Sequence, residues 1–284
     1  MHTNVVYQGK RTRSNIAYLT LILSFALVSL IYSRSIAYLL SRWIDWPIWD
    51  NAHGLVIILV SAYLIWKKKC DIRSLPTEIN YNALIPLIIS HMVWFMASVA
   101  DVMLLQILSL VTTLISIIWL FLGINILRVI VIPICLIIFA LPVWSPLLPV
   151  LQSFTTQMSY YVLGFIGIPI MKTGFLLTLP NGTFEVAEGC GGLRYLLAAL
   201  YIGSLLTYIG NYSTKRRIAL IITFASLALV ANVIRVVTVV IAGYLTDMQH
   251  HLVHHHVNLG WVIFLLFIFP LIYFSSRYED RKID

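Results

Sequence analysis

Eight runs of apolar residues, at about 15–33, 53–66, 82–100, 102–122, 126–143, 191–210, 218–245 and 258–276, take up most of the chain. A helix needs roughly 20 such residues to cross the hydrocarbon layer of a membrane. Inside lipid every backbone N–H and C=O must be satisfied by the protein itself, which a helix does within its own segment. The runs therefore predict an all-α, polytopic membrane bundle of about eight transmembrane helices, read as a single integral membrane domain over 1–284. Only 11% of the residues are charged, against about 25% in soluble domains, so one water-soluble core is excluded. The run at 53–66 is short and draws on Trp46 and Trp49 as interface anchors. Lys10, Arg11 and Arg13 precede the first run as in a signal peptide. That run is long and no small-x-small cleavage site follows it, so a retained first span is expected.

The formal charge of +8 suggests a nucleic-acid partner at first sight, but the cations do not gather on one face. They fall in short clusters between spans, as orientation signals do. With the N-terminus in the cytoplasm, the inner segments hold fourteen of the 19 lysines and arginines, in clusters such as Lys67-Lys68-Lys69 and Lys215-Arg216-Arg217. The outer segments hold Arg34, Arg42 and Lys172, and Arg194 and Arg235 lie within spans. Both termini are thus expected inside, with the protein in the cytoplasmic (inner) membrane and no nucleic-acid partner.

The longest outer stretch is 144–190. Leu147, Leu151, Phe154, Met158, Val162 and Phe165 form a helical apolar stripe, with Gln152, Ser153, Thr155, Thr156, Gln157 and Ser159 mostly opposite. This pattern predicts an amphipathic helix lying on the outer leaflet; the alternative is a ninth, poorly hydrophobic span. Residues 175–187 read as a small β-hairpin closed by a type I′ turn at Asn181-Gly182. Asn181-Gly182-Thr183 also fits a glycosylation site, although the turn already accounts for these residues.

Three cysteines are too few, and odd in number, for a disulfide framework. Cys70 and Cys135 have unremarkable surroundings. Cys190 lies in Glu188-Gly189-Cys190-Gly191-Gly192-Leu193-Arg194, at the outer start of the sixth span. The positive end of a helix and a nearby cation both favour the thiolate, and Arg194 is expected one helical turn on, sharing a face with the thiol. Arg235 lies 18 residues beyond Arg217 in the seventh span, or roughly 27 Å at 1.5 Å per residue, which puts it in the outer leaflet with Asn232 on the same face. A charge at that depth is a functional candidate, the alternative being an arginine that snorkels to the headgroups. The next outer loop carries His250, His251, His254, His255 and His256. The cluster lacks zinc-motif spacing, so no metal is expected, and one histidine as a general acid or base fits neutral pH better. Cys190, Arg235 and His256 thus reach one membrane face from three separate stretches.

These segments resemble the signature of the exosortase/archaeosortase family. The matching elements are Val186 to Arg194 around Cys190, Asn232-x-x-Arg235, and His256-x-x-x-Gly260-Trp261. Asp50-Asn51-Ala52-His53-Gly54 resembles that family's tyrosine-serine-histidine-glycine loop, and the likeness runs from about 45 to 275. It implies a membrane cysteine protease or transpeptidase acting on exported proteins that end in a short motif such as Pro-Glu-Pro, a transmembrane helix and a basic tail. Cys190 would be the nucleophile, Arg235 the cation at the oxyanion or substrate, and His256 the acid/base, with the active site facing the periplasm or exterior. Arg194, Glu188, Asn232 and His53 would support the site or bind substrate, and 186–276 would form the catalytic helices. A histidine at 256 is more like the bacterial exosortases than the archaeal enzymes. Gly191 departs from the family, which usually has serine there. No cofactor is implied; lipid and the sorting-signal protein are the expected partners, and the oligomeric state is not legible. The alternatives are a membrane thiol protease that hydrolyses without transfer, and a non-catalytic partner in exopolysaccharide export.

Overall fold

In a lipid-facing chain the apolar residues cover the outside, and the few polar ones decide how helices pack. The computed structural model describes residues 18–44, 53–251 and 257–277. It divides into two compact units, Met1–Val143 and Trp144–Asp284. Among the described residues, five helices are long and apolar enough to cross a membrane, and up to seven spans result if two bent helix pairs each count as one. The chain is a helical polytopic bundle with one small sheet. Each of the eight expected runs is mostly helical over its described residues. His53–Lys67 is apolar but has only 15 residues.

The first unit contains α1 (Tyr18–Ile31), α2 (Ser33–Ile44), α3 (His53–Lys67), the short α4 (Lys69–Ser74), α5 (Leu84–Val99), α6 (Met103–Leu122) and α7 (Ile124–Cys135). α1 and α2 meet at 81°. On α5, Ile85, Ile88, Met92, Phe95, Met96 and Val99 are all exposed and recur at helical spacing, which makes a lipid-facing wall. On α6, Gln106, Ser109, Thr113 and Ser116 form the opposite kind of stripe, and all four are buried. Their polar atoms are satisfied inside the unit, as lipid requires. Thr113 Oγ1 lies 3.0 Å from Tyr32 Oη and 2.9 Å from Ser90 Oγ. Gln106 accepts from Ser35 Oγ (3.3 Å) and donates to the Ala97 carbonyl (3.3 Å). Arg34 and Asp101 pair at 2.8 Å in the open.

The second unit contains α8 (Leu148–Phe165), β1 (Met171–Thr173), β2 (Leu176–Leu179), β3 (Gly182–Glu185), α9 (Leu193–Ile209), α10 (Thr214–Leu245) and α11 (Val257–Arg277). α10 has 32 residues and is the axis of the unit, packing against α8, α9 and α11.

Two expectations for this unit are corrected. First, the hairpin is a three-stranded antiparallel meander, because Met171–Thr173 adds a strand on β2. Leu179 pairs with Gly182, so the tight turn is Pro180-Asn181 and not Asn181-Gly182. Neither turn residue has the positive φ that a type I′ turn needs; proline suits the first central position of an ordinary turn. Second, the polar face of α8 does not look away from the protein. Gln152, Thr155, Thr156 and Ser159 are buried, whereas Val150, Phe154, Val162 and Phe165 are exposed. The apolar stripe is available to lipid as expected, except at Leu151, which is buried.

The sheet also closes on the end of α10. Asn181 Nδ2 donates to the carbonyls of Tyr244 (2.8 Å) and Gly243 (3.4 Å) and to Asp247 Oδ1 (3.3 Å). A helix leaves its last carbonyls without partners, and the Asn181 amide supplies one. Phe184 packs so closely over Gly243 that no side chain fits there.

Candidate active site

The strand β3 delivers the chain to the cysteine. Val186 is buried; its N–H bonds the Phe175 carbonyl at 3.0 Å, and its own carbonyl accepts from Gln152 Nε2 on α8. A 3-10 turn follows over Glu188–Cys190. The Cys190 N–H returns to the Ala187 carbonyl (2.8 Å) and the Gly191 N–H to the Glu188 carbonyl (3.1 Å). Gly192 then takes φ +87° and caps α9. The left-handed backbone favours glycine there, and a Cβ would also stand 2.6 Å from Asn232 Nδ2.

Cys190 therefore sits two residues ahead of the α9 cap, not within the first turn of the helix. The reversal at Gly192 also breaks the helical spacing between Cys190 and Arg194, so they do not share a helix face. They meet by another route: both line one cavity of about 220 Å³, together with Ala187, Gly189, Gly192, Tyr195, Arg235 and Trp261. Cys190 is partly exposed and Arg194 is partly buried. Glu188 is exposed and does not line this cavity, its carbonyl serving the turn.

Arg235 is only 4% exposed. Its Nη1 donates to Tyr195 Oη at 3.1 Å, and the guanidinium carbon lies 5.5 Å from the Tyr195 ring centre. Its Nε is buried and has no hydrogen-bond partner among the described residues. A snorkelling arginine would put its head in water; this one turns inward, to the cavity. Trp261 packs edge-on against Tyr195, with ring centres 5.5 Å apart. Gly260 makes the pairing possible, because a Cβ there would run into Tyr195 Oη and stand 2.7 Å from Arg235 Cδ.

Asn232, one turn before Arg235 on α10, is 1% exposed. Both hydrogens of its amide nitrogen are used, one by the Cys190 carbonyl (2.9 Å) and one by Thr155 Oγ1 (3.0 Å). Thr155 Oγ1 in turn donates to the Gly191 carbonyl at 3.3 Å.

Of the expected residues, Cys190, Arg235, Arg194 and Asn232 come together in the second unit. His53 belongs to the first unit, where its Nε2 lies 3.2 Å from the Phe139 carbonyl oxygen. His256 lies outside the described residues, as do His254 and His255. Val257, which follows His256, begins α11, the helix that brings Trp261 to the cavity. Among the described residues no group of three or more histidine, cysteine, aspartate or glutamate side chains is placed to hold a metal ion. Tyr195, Gln152 and Thr155 were not among the sequence candidates. The signal for Tyr195 was the buried cation: an arginine in a span needs an acceptor on a facing helix. The broader hollow beside Val262, Leu266, Phe269 and Tyr273 on α11 is open and apolar, as a lipid-facing helix surface would be.

A family model of transmembrane exosortases matches residues 43–273 of the chain. No curated protein and no solved structure matches it.

Proposed function

Since the chain belongs to the transmembrane exosortase family, we propose that it is a membrane cysteine transpeptidase or protease. Its substrates are exported proteins that carry a C-terminal motif, a transmembrane helix and a basic tail. The observation that carries this reading is the shared cavity: the partly exposed Cys190 lines the same space as a buried arginine with an unpartnered Nε.

In this mechanism the substrate's own helix holds its motif beside the outer leaflet. Cys190 Sγ, as thiolate, attacks the scissile carbonyl carbon. The carbonyl π electrons move to oxygen, and Arg235 stabilises the charge that develops there. Tyr195 supports Arg235 by holding one arm of its guanidinium. The tetrahedral species collapses to a thioester as the C–N bond breaks, and His256 gives the leaving nitrogen its proton. An acceptor amine or hydroxyl, or water, then attacks the thioester, gives its proton to the now neutral His256, and returns the thiolate. Arg194 binds and orients the substrate at the cavity wall. The excess of lysine and arginine in alternate loops favours a cytoplasmic-membrane location with both termini inside and the cavity outside.

Cells expressing the protein with a motif–helix–basic-tail substrate test the reading. Cys190→Ala is expected to abolish trimming, and Arg235→Ala and His256→Ala to reduce it at least a hundredfold. Hydroxylamine should release the substrate's N-terminal part as a hydroxamate, and mass spectrometry of the untreated product separates transfer from hydrolysis. Continued trimming by Cys190→Ala would overturn the assignment.

A further inference from the structure

The polar face of α8 has a use that the proposed chemistry does not state. Three carbonyls around the nucleophile turn, those of Val186, Cys190 and Gly191, are gripped from outside the turn. Gln152 Nε2 on α8 binds the Val186 carbonyl, just before the turn. Asn232 Nδ2 on α10 binds the Cys190 carbonyl, and Thr155 Oγ1 on α8 binds the Gly191 carbonyl, just after it. The two helices are also tied to each other, because Thr155 Oγ1 accepts from Asn232 Nδ2. The hydrogens can run only one way. Asn232 has two acceptors within reach of its nitrogen, so the amide nitrogen must face them. The Thr155 hydroxyl accepts one of those hydrogens and has its own left for Gly191.

All three side chains are at most 6% exposed. None of them lines the cavity, so none is placed to touch substrate. In the low dielectric of a membrane protein these donor bonds are strengthened, while Asn232 Oδ1 is buried without a hydrogen-bond partner among the described residues. The turn itself is short and rich in glycine, with Gly189, Gly191 and Gly192 around Cys190, and such a segment does not hold one conformation by local preference. The rigidity has to come from elsewhere.

We infer that Gln152 and Thr155 on α8 are positioning residues, which hold the Cys190 turn at the cavity that Arg194 and Arg235 also line. This rests on Cys190 as the nucleophile, but it can be read from the thiol alone. The test uses full-length protein in detergent with Cys70→Ser and Cys135→Ser, which leaves one reactive sulfur. The rate of alkylation by iodoacetamide is followed from pH 5 to 10. Thr155→Val keeps the shape and removes the hydroxyl; Gln152→Met keeps the length and removes the amide. Both are expected to slow alkylation at pH 7 on the order of tenfold, the scale of a small misplacement of a reacting group, and to displace the rate–pH profile towards higher pH. Thr155→Ser restores the hydroxyl and is expected to restore the profile. Loss of fold would bring the profile to that of a free thiol, so each variant is first shown to unfold cooperatively at the parent's SDS midpoint. Thr155→Ala serves in place of Thr155→Val if the latter does not fold. Profiles of Thr155→Val and Gln152→Met that superimpose on the parent would overturn the inference. Trimming by Cys190→Ala would sink the enzyme reading instead, and the alkylation contrast separates the two failures.

Discussion

The contact most sensitive to a single added carbon is the one at Gly260. A Cβ built there meets Tyr195 Oη, the atom that accepts from Arg235, and stands 2.7 Å from Arg235 Cδ. Gly260→Ala is therefore an overpacking change, with a cost of about 1–3 kcal/mol. Alanine is the better helix former by about 0.5–1 kcal/mol, which leaves a net destabilisation on the order of 0.5–2 kcal/mol. Tyr195→Phe removes the hydroxyl and with it a hydrogen bond to a charged group, worth about 1.5–3 kcal/mol. If the two changes were independent the double variant would lose their sum. They are not, because the hydroxyl that the new methyl meets is the one that Tyr195→Phe deletes. The double variant is expected to fall short of additivity by about 0.5–1.5 kcal/mol, within the range seen for residues in contact; the Arg235 Cδ contact keeps the relief partial. Unfolding in mixed micelles of rising SDS content measures all four proteins. Trimming should fall in both single variants, because each disturbs the guanidinium that the proposed mechanism uses. Additivity within about 0.3 kcal/mol would mean that Gly260 and Tyr195 do not touch, and the packing around Arg235 described above would be wrong.

Asn181→Ala is expected to cost about 1 kcal/mol by the same unfolding assay, since it removes the amide that meets the Tyr244 and Gly243 carbonyls. Asn181→Asp should be worse than alanine, because it sets a carboxylate against the negative end of α10 and beside Asp247; wild-type stability for the aspartate would refute the cap. Gly191→Ser restores the residue usual in the family and is expected to destabilise by about 1 kcal/mol. Its Cβ would stand 3.3 Å from both the Gln152 backbone nitrogen and the Glu188 carbonyl oxygen, and neither is a flexible group. A serine variant more stable than the parent would show that the turn has room.

How much of this was legible in the sequence differs from element to element. The apolar runs at 82–100, 102–122, 191–210, 218–245 and 258–276 matched their helices to within four residues at each end, because lipid leaves a long apolar segment little else to do. Cys190 and Arg235 stood out for the same reason in reverse, as chemistry where chemistry is costly. The turn at Pro180-Asn181 was misread because Asn-Gly is the strongest local hairpin signal. The register that shifted it is set at a distance, by Leu177 and Leu179 pointing into the core of the second unit and by Asn181 reaching the end of α10. Tyr195 was missed because a tyrosine in an apolar helix carries no mark until its partner is known.

The helix α8 shows why a pattern alone is an incomplete argument. Its two faces were plain in the sequence, and most of the apolar one is exposed. The polar face was assigned to the outside by the rule for peripheral helices, in which whatever is not in lipid is in water. Inside a membrane protein there is a third place. A helix can turn its apolar face outward and its hydroxyls and amides to other protein groups, and on α8 most of these find a partner, Ser159 Oγ being buried without one among the described residues. Thr156 bonds back to the Gln152 carbonyl (2.7 Å), and Gln152 and Thr155 bond forward to the cysteine turn. The deciding clue was thus not on α8 at all. It was the segment 190–191 in the glycine-rich turn, whose backbone carbonyls are met by side chains and not by a helix or sheet. Where a chain of this kind puts a flexible, polar backbone segment at an active site, the neighbouring helix with hydroxyl and amide side chains at helical spacing is the place to look for the groups that hold it.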